Sequence, residues 1–387
     1  VEGKNKTYDD GQCSRYDLEA CSWSNIPEYD WELQDDMPWV IGEFVWTGFD
    51  YLGEPTPYDG YWPSRSSYFG IFDLAGLPKD RYYLYRSRWN TENATIHLLP
   101  HWTWNGREGE VTPVFCYTNY PTAELFVNGK SQGRISKNKQ ELMNRYRLRW
   151  DDVKYEPGEL KVVVYDEAGK EAGSRVVRTA GKPAIIQLVP DKGVANSKSS
   201  LSDMTPVDNP AFFSTNEPVV ADGKDLVFVS VRILDKDGNL CPDADNQLSF
   251  KVSGAGRCKG VCNGDATSLE SFVKPTMKAF HGELVVAIQT KNEPGQIRLT
   301  VSGKGLKSQT LTINTVKSVN SSLEGKVINV IGDSYVANHR APRYEAWHSK
   351  VARKHGMIYN NYGRNGGCVA FDRTKDGFGP SLMVRHK

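Results

Sequence analysis

Short runs of β-prone residues separated by turn signals recur through the middle of this chain. The runs include "EVTPVFCYT", "AELFVNGKSQGR" and "ELKVVVYDEAGK", and the dipeptide Asn128-Gly129 interrupts the second of them. Asn-Gly suits a type I′ hairpin, which needs positive φ at both central residues. Repeated short strands at this spacing are typical of β-sandwiches. We therefore predict a β-sandwich over residues 91–182.

Residues 183–316 repeat this style and predict a second β-sandwich. Its runs extend from "AIIQLVP" to "SQTLTINT", Asp237-Gly238 gives another hairpin signal, and a longer insert near residues 197–218 looks loop-like. Neither predicted sandwich carries a cluster of polar residues of the kind that performs catalysis.

Residues 1–90 differ from the sandwiches because they are rich in tryptophan and tyrosine. "WVIGEFVW", a short and nearly continuous apolar run, predicts a buried strand. A Gly/Pro-rich loop follows, and "PKDRYYLYRSRW" then predicts a helix that Pro78 starts and that places Tyr82, Tyr85 and Trp89 on one face. One strand, one loop and one helix are too little to bury a core. We expect this segment to be the end of a larger domain.

The end of the chain predicts a different class of domain. A polar linker over residues 317–325 leads to "VINVI", which predicts a strand. Residues 344–355 predict a helix with Trp347 on its apolar face and Gly356 as its cap, and "MIYNNYG" predicts a second strand. The two strands should be parallel and their crossover right-handed. Residues 326–387 are therefore predicted to hold the start of an α/β domain.

Charge and hydropathy argue against two classes of partner. Lys and Arg number 48 against 47 Asp and Glu, a net charge of +1, and no basic cluster indicates a nucleic-acid partner. No run approaches the roughly 18 apolar residues of a membrane helix. The first residue is Val1 rather than Met and no signal peptide is present, so we expect the natural start to lie upstream.

The seven cysteines, an odd number, are scattered and do not resemble a disulfide framework. Cys258-x3-Cys262 is the closest pair. No second Cys or His pair with suitable spacing completes a metal site with it. We predict free or hairpin cysteines, no metal and no cofactor.

A candidate binding site lies in the loop after Trp46. Substrates of (β/α)₈ barrels bind at the carboxyl ends of the strands. An indole at such an end offers a flat apolar face to the C–H side of a sugar ring. A glycosidase also needs two carboxyls about 5–5.5 Å apart for retention. The nearby carboxylates are those of Glu43, Asp50, Glu54 and Asp59. Loop packing alone is the alternative explanation for aromatic residues beside Gly and Pro.

Two adjoining motifs carry a family resemblance. "GEFVWTGFDYLGEPTPY" and "WPSRSSYFGIFDLAGLPKDRYYLYRSRW" resemble the end of the catalytic (β/α)₈ barrel in glycoside hydrolase family 2 β-galactosidases, especially those of Bacteroides-like gut bacteria. The two sandwich segments resemble that family's trailing domains, so the resemblance covers most of residues 1–316. It implies a retaining double displacement by two glutamates that lie on earlier barrel strands, outside this chain.

The resemblance carries over to individual residues of the loop. Trp46 matches the family's tryptophan that forms the floor of the galactose subsite, and Tyr58, Trp62 and Arg65 are its expected neighbours in substrate binding. The carboxylates of Glu43, Asp50 and Glu54 match the last strand and its loop rather than the catalytic positions.

A second candidate site follows the strand "VINVI". A strand–turn–helix placement exposes Ser334 of Gly332-Asp333-Ser334 at a sheet edge, where backbone N–H groups can stabilise an oxyanion. With "YNNYGRNGG", the segment resembles the opening of SGNH (GDSL-type) esterases, which implies Ser334 as nucleophile and Gly366 as an oxyanion-hole donor. That family's Gly-x-Asn-Asp and Asp-x-x-His blocks are absent, and a serine needs a base to be activated. We expect Ser334 to be inert in this chain.

The expected fold class is mainly β. Two immunoglobulin-like sandwiches are flanked by the end of a (β/α)₈ barrel at residues 1–90 and by a partial SGNH-like βαβ unit at residues 326–387. We expect a fragment of a modular hydrolase whose partner is a galactoside-containing glycan, placed in the periplasm or secreted by a bacterium. The alternatives are an SGNH-type carbohydrate esterase with sandwich spacers and a non-catalytic sandwich stack that binds glycans or partners. The oligomeric state is not predicted.

Overall fold

The computed structural model describes residues 16, 18, 20, 24–56, 58–193, 214–317, 323, 325–330 and 346–362. The chain divides into two compact units, Val1–Lys317 and Ser318–Lys387. None of the helices among the described residues is long and apolar enough to cross a membrane. The fold class is mainly β, as predicted.

The first unit contains the helices α1 (Pro27–Asp36), α2 (Asp80–Trp89) and α3 (Leu142–Tyr146). Its first strands are β1 (Ile96–Leu99), β2 (Val114–Thr118), β3 (Thr122–Val127), β4 (Lys130–Ser136), β5 (Leu148–Trp150), β6 (Glu159–Tyr165) and β7 (Glu171–Arg178). The later strands are β8 (Ile185–Pro190), β9 (Val219–Ala221), β10 (Leu226–Leu234), β11 (Gln247–Gly254), β12 (Gly256–Cys262), β13 (Thr276–Lys278), β14 (Glu283–Thr290), β15 (Gln296–Gly303) and β16 (Gln309–Lys317).

The first sandwich packs the sheet β1-β2-β5 against the sheet β4-β3-β6-β7. Strand β3 alternates strictly, because Ala123, Leu125 and Val127 are buried in the core while the residues between them are half-buried. The β3–β4 hairpin turns at Asn128 and Gly129, with φ of 48° and 78°. The type I′ prediction is therefore confirmed.

Strand β2 is buried on both faces, and this joins the sandwich to the helices. Val114 and Cys116 point into the sandwich core, whereas Phe115 and Tyr117 pack in a second cluster. That second cluster also contains residues of α1, α2 and α3, namely Trp31, Leu84, Tyr85 and Tyr146. A continuous apolar run suits such a strand, since neither face meets water.

A buried ion pair fixes α1 to the same sandwich. Glu28 of α1 and Arg147, which precedes β5, are both fully buried and paired with each other. The Arg147 guanidinium also donates to the backbone oxygen of Tyr16 at 3.0 Å and to the Tyr117 hydroxyl at 3.3 Å. A buried charge requires such compensation, because an unpaired one carries a large desolvation cost.

The second sandwich packs the sheet β12-β14-β10-β8 against the sheet β13-β11-β15-β16-β9. The predicted runs, "AIIQLVP", "DLVFVSVRILDKDGNL", "QLSFKVSG", "GELVVAIQT", "GQIRLTVSG" and "SQTLTINT", all contain strands, namely β8, β10, β11, β14, β15 and β16. The short strands β9 and β13 and the cysteine-containing β12 were not predicted. The turn signal at Asp237-Gly238 closes Leu234 onto Leu240 as an isolated antiparallel bridge. The buried Asp235 carboxylate shapes that turn by accepting hydrogen bonds from the Asp237 and Asn239 amides, both at 2.9 Å. Most of the predicted insert, residues 194–213, lies outside the described residues.

The segment "WVIGEFVW" does not form the predicted strand. The predicted buried strand is instead irregular, and Trp39, Ile41 and Phe44 are exposed. A strand requires a hydrogen-bonded neighbour, and no described strand of this chain pairs with residues 39–46. The following helix is confirmed as α2, although Leu84 and Tyr85 rather than Trp89 form its buried stripe.

The second unit forms a strand–helix–strand arrangement from β17 (Val327–Val330), α4 (Trp347–Lys354) and β18 (Ile358–Asn361). The strands are parallel, as predicted, with Val327 opposite Ile358. Gly356 follows the helix with a φ of 63°, which confirms its capping role. Trp347 was predicted on the packing face and is exposed; His348 is buried instead, and its Nδ1 lies 2.7 Å from the Tyr359 hydroxyl.

The Glu28–Arg147 pair allows a test of how α1 is held. Arg147→Met should lower the free energy of unfolding by about 3–5 kcal/mol, since it leaves the Glu28 carboxylate buried and unpaired. Adding Glu28→Leu removes the second charge and should recover most of that loss. Arg107→Met, which breaks the exposed pair with Glu110, should cost at most about 1 kcal/mol. Urea denaturation followed by tryptophan fluorescence measures all three variants, and a double variant as unstable as Arg147→Met would contradict this account.

Candidate functional site

The loop after Trp46 is anchored at its base by the buried carboxylate of Asp50. This carboxylate lies 2.6 Å from the Lys79 ammonium and accepts a hydrogen bond of 2.8 Å from the Gly70 amide. Asp50 is only 8% exposed. Burial raises its pKa, and Lys79 and the Gly70 amide oppose that shift. The ion pair therefore ties the two ends of the loop together.

Gly70 lets the two sides of the loop approach closely. The Asp50 amide donates to the Phe72 carbonyl at 3.0 Å. A Cβ added at Gly70 would lie 2.2 Å from the Asp50 nitrogen and 2.3 Å from the Phe72 oxygen. Only glycine fits there, because both obstructing atoms belong to the backbone.

Trp46 stands at the rim of this loop with 71% of its surface exposed. Its indole Nε1 donates to the Tyr51 hydroxyl at 3.2 Å, and the two rings meet edge to face with centroids 6.0 Å apart. The Tyr51 hydroxyl in turn donates to the Glu54 carboxylate, and this hydrogen bond raises the pKa of Tyr51. The chain of hydrogen bonds orients the indole while leaving most of it open to solvent.

The three other predicted binding residues lie in different environments. Trp62 is 75% exposed, whereas Tyr58 is only 5% exposed and packs against Tyr68 with ring centroids 5.1 Å apart. Tyr58 therefore supports the loop from within and offers little surface to a ligand. The backbone carbonyl of Arg65 accepts from the Gly53 amide at 2.9 Å, which brings Arg65 alongside the part of the loop that follows Trp46.

The second sandwich holds the far side of the loop. The Arg65 amide donates to the Ala266 carbonyl at 3.1 Å, and the Arg65 guanidinium lies 5.2 Å from the centroid of the Phe272 ring. The Cys262 thiol donates to the Leu74 carbonyl at 3.5 Å. These contacts join segments that are far apart in the sequence, and no local pattern signals them.

Asp73 sits at the same junction. Its Oδ1 accepts hydrogen bonds of 2.8 Å from the amides of Ala75 and Leu77. Burial raises the pKa of Asp73 to about 7, although both hydrogen bonds oppose the shift. A Cβ at Gly264 would lie 2.0 Å from the Asp73 Oδ2, so the second sandwich approaches this carboxyl closely.

The carboxylates near Trp46 mostly have structural partners. Glu43 accepts a hydrogen bond of 3.2 Å from the Trp31 indole, and burial raises its pKa. Asp50 is paired with Lys79, Glu54 accepts from Tyr51, and Asp59 lies in an exposed turn. We therefore assign Glu43, Asp50 and Glu54 to shaping the loop rather than to chemistry.

Two further predictions concern metals and the esterase-like site. The part of the chain that the structure describes contains no group of three or more His, Cys, Asp or Glu side chains that could hold a metal ion. Cys258 and Cys262 are free thiols in β12, and burial raises the pKa of Cys262 to about 12. Ser334 and Gly366 lie outside the described residues.

Family models match both sandwiches. Residues 214–312 match the glycoside hydrolase family 2 C-terminal domain 5, and residues 109–173 match a domain of unknown function, DUF4982. Neither model reaches residues 326–387, and the esterase-like domain stays a prediction of the sequence.

Individual relatives agree with the family models. The β-galactosidase BoGH2A of Bacteroides ovatus is 44% identical to this chain, in an alignment that covers 78% of this chain and 32% of that protein. A β-glucuronidase of Formosa agariphila is 25% identical, in an alignment that covers 70% of this chain and 24% of that protein. The crystal structure of a β-glycosidase from Bacteroides vulgatus superposes with a TM-score of 0.65 at 34% identity, covering 78% of this chain and 34% of that one. This chain thus spans about a third or less of the length of these relatives.

Gly70 provides a test of how tightly the loop is built. Gly70→Ala should destabilise the loop by about 1–3 kcal/mol, because the added methyl group meets backbone atoms that cannot rotate away. Gly60→Ala is the matched control, since a Cβ at Gly60 meets nothing within 4 Å. Hydrogen exchange at the amides of Asp50, Gly53 and Ser67 should accelerate in the first variant only. Equal exchange in both variants would show that the loop does not depend on the close approach at Gly70.

Proposed function

This chain carries the C-terminal region of a glycoside hydrolase family 2 protein, and we propose that the region forms one wall of the sugar-binding site of a retaining glycosidase acting on terminal β-galactosides. The observation that carries the proposal is the exposed, oriented indole of Trp46. It stands on a loop held at its base by Asp50 and Lys79 and at its far side by the second sandwich.

The chemistry of an indole fits this role. Its ring face is apolar and electron-rich, so it packs favourably against the C–H groups on one side of a sugar ring. The Nε1 proton is already satisfied by the Tyr51 hydroxyl at 3.2 Å. The indole therefore needs no further hydrogen bond and can present its face to a ligand at little entropic cost, because its orientation is set beforehand.

The proposed contribution of this region is binding rather than bond cleavage. Retaining hydrolysis requires one carboxylic acid and one carboxylate about 5–5.5 Å apart. Glu43, Asp50 and Glu54 are each engaged by a neighbouring side chain. The two catalytic glutamates would come from the barrel strands that precede this region in the complete enzyme, as the family resemblance implies.

A β-galactoside is favoured over a β-glucuronide as the substrate. The β-galactosidase BoGH2A is 44% identical, whereas the relatives named as β-glucuronidases or putative β-glucuronidases are 25–31% identical and another relative named as a β-galactosidase is 22% identical. Comparing the nitrophenyl derivatives of the two sugars decides between them. Preferential cleavage of the glucuronide would leave the proposed sugar site unchanged and would identify a β-glucuronide as its substrate.

Trp46→Ala in the complete enzyme tests the proposed wall. The substitution should lower kcat/KM for nitrophenyl-β-galactoside about tenfold, which corresponds to about 1.4 kcal/mol of lost contact. Trp46→Phe keeps a ring face and should lose less. Trp347→Ala is the matched control, because Trp347 is equally exposed at 71% and belongs to the second unit. If Trp46→Ala folds normally and retains full kcat/KM, the indole is not part of the sugar site.

A further inference from the structure

A cleft of 590 Å³ lies where α1, α2 and the segment around α3 meet, away from the residues of the Trp46 loop. Its lining is unusually rich in cations for a chain whose net charge is +1. The charged and aromatic lining residues are Asp35, Arg88, Lys137, Lys139, Arg145 and Tyr146. A volume of this order lies within the range of small-molecule binding sites.

The two arginines of the cleft are held in place by carboxylates. Arg88 donates to both oxygens of Asp35, at 2.8 and 3.3 Å. Arg145 donates to both oxygens of Asp36, at 2.6 and 2.7 Å, and Asp36 does not line the cleft. Asp35 also accepts a hydrogen bond of 2.8 Å from the Tyr146 hydroxyl. The one lining carboxylate, Asp35, is thereby committed, and Asp36 pairs with Lys139 at 3.5 Å as well as with Arg145, so neither carboxylate neutralises Lys137.

Lys137 is the cation that lacks such compensation. Its ammonium donates to the Thr118 carbonyl at 2.6 Å, and no ion pair joins it to a carboxylate within the described residues. Burial lowers the pKa of Lys137 to about 8, and the nearby Cys116 and Glu167 counter this shift only in part. An ammonium in this setting has donor capacity left, since –NH₃⁺ carries three protons. An anion entering the cleft would relieve the desolvation cost of its charge.

We propose that this cleft binds an oxyanion, the carboxylate or sulfate group of an acidic sugar, with Lys137 as the central ligand. Lys139 stands at the rim, 70% exposed, and its ammonium lies 3.5 Å from the Asp36 Oδ1, so its positive charge is partly neutralised. Arg88 and Arg145 are neutralised by Asp35 and Asp36, so they fix the shape of the cleft and leave Lys137 as the uncompensated charge among the described residues that line it. This is a second binding site beyond the proposed glycosidase function, and none of its lining residues belongs to the Trp46 loop.

Calorimetric titration of this chain at constant ionic strength tests the proposal. Sodium glucuronate and sodium sulfate are the probes, and glucose is the neutral control. Both anions should bind and glucose should not. If glucuronate binds more tightly than sulfate, the cleft recognises the sugar as well as its carboxylate. If sulfate binds as tightly or more tightly, the cleft recognises only the oxyanion group. Because a bound anion raises the Lys137 pKa, binding at pH 8 should take up protons, and the measured enthalpy should therefore depend on the buffer's ionisation enthalpy.

Substitutions of the lining lysines test whether the anions bind in this cleft. Lys137→Met should weaken glucuronate and sulfate at least about tenfold, the equivalent of about 1.4 kcal/mol, and it should fold, because it replaces a buried charge with an apolar chain of similar length. Lys139→Gln, at an exposed position, should weaken binding severalfold. Lys304→Met, on the second sandwich, is the control and should change nothing. Failure of both anions to bind, or unchanged binding in Lys137→Met and Lys139→Gln, would overturn the proposal.

Discussion

The first unit depends on one strand that has no solvent-facing side. Val114 and Cys116 of β2 complete the core of the first sandwich, and Phe115 and Tyr117 form the floor on which α1 and α2 pack. Burial of the Val114 and Phe115 side chains contributes about 1.5–3 kcal/mol each. Because two residues of β2 belong to each cluster, the helical segment and the sandwich cannot move apart without exposing β2.

This floor determines where the Trp46 loop lies. Helix α2 packs on β2 and begins just after Lys79, whose ammonium holds the Asp50 carboxylate at the other end of the loop. The second sandwich secures the opposite side through Ala266 and Phe272. Both sandwiches thus help to position the loop that carries the proposed sugar contact.

Local patterns predicted most of the sandwich strands, because alternation and hairpin residues such as Asn128-Gly129 act over a few residues.

Local patterns failed where the structure depends on partners that are distant in the sequence. The segment "WVIGEFVW" has the composition of a buried strand, but a strand forms only against a neighbour. Helix α4 buries His348 rather than Trp347, since two apolar positions do not decide between faces one residue apart. The Arg65–Phe272 contact and the cleft around Lys137 join residues from different elements, so no spacing along the chain reveals them. Within the site, the sequence predicted Trp46 and Tyr58 as sugar-binding residues, but it did not predict that Trp46 is exposed and Tyr58 buried.

The structure of the complete enzyme with bound galactose is the most direct test of the account. We predict that carbon atoms of the sugar lie within about 4–4.5 Å of the Trp46 indole face, with the Trp46 Nε1 still bonded to the Tyr51 hydroxyl. Galactose bound elsewhere, with the indole covered by other parts of the protein, would contradict the assignment of this loop as a wall of the sugar site.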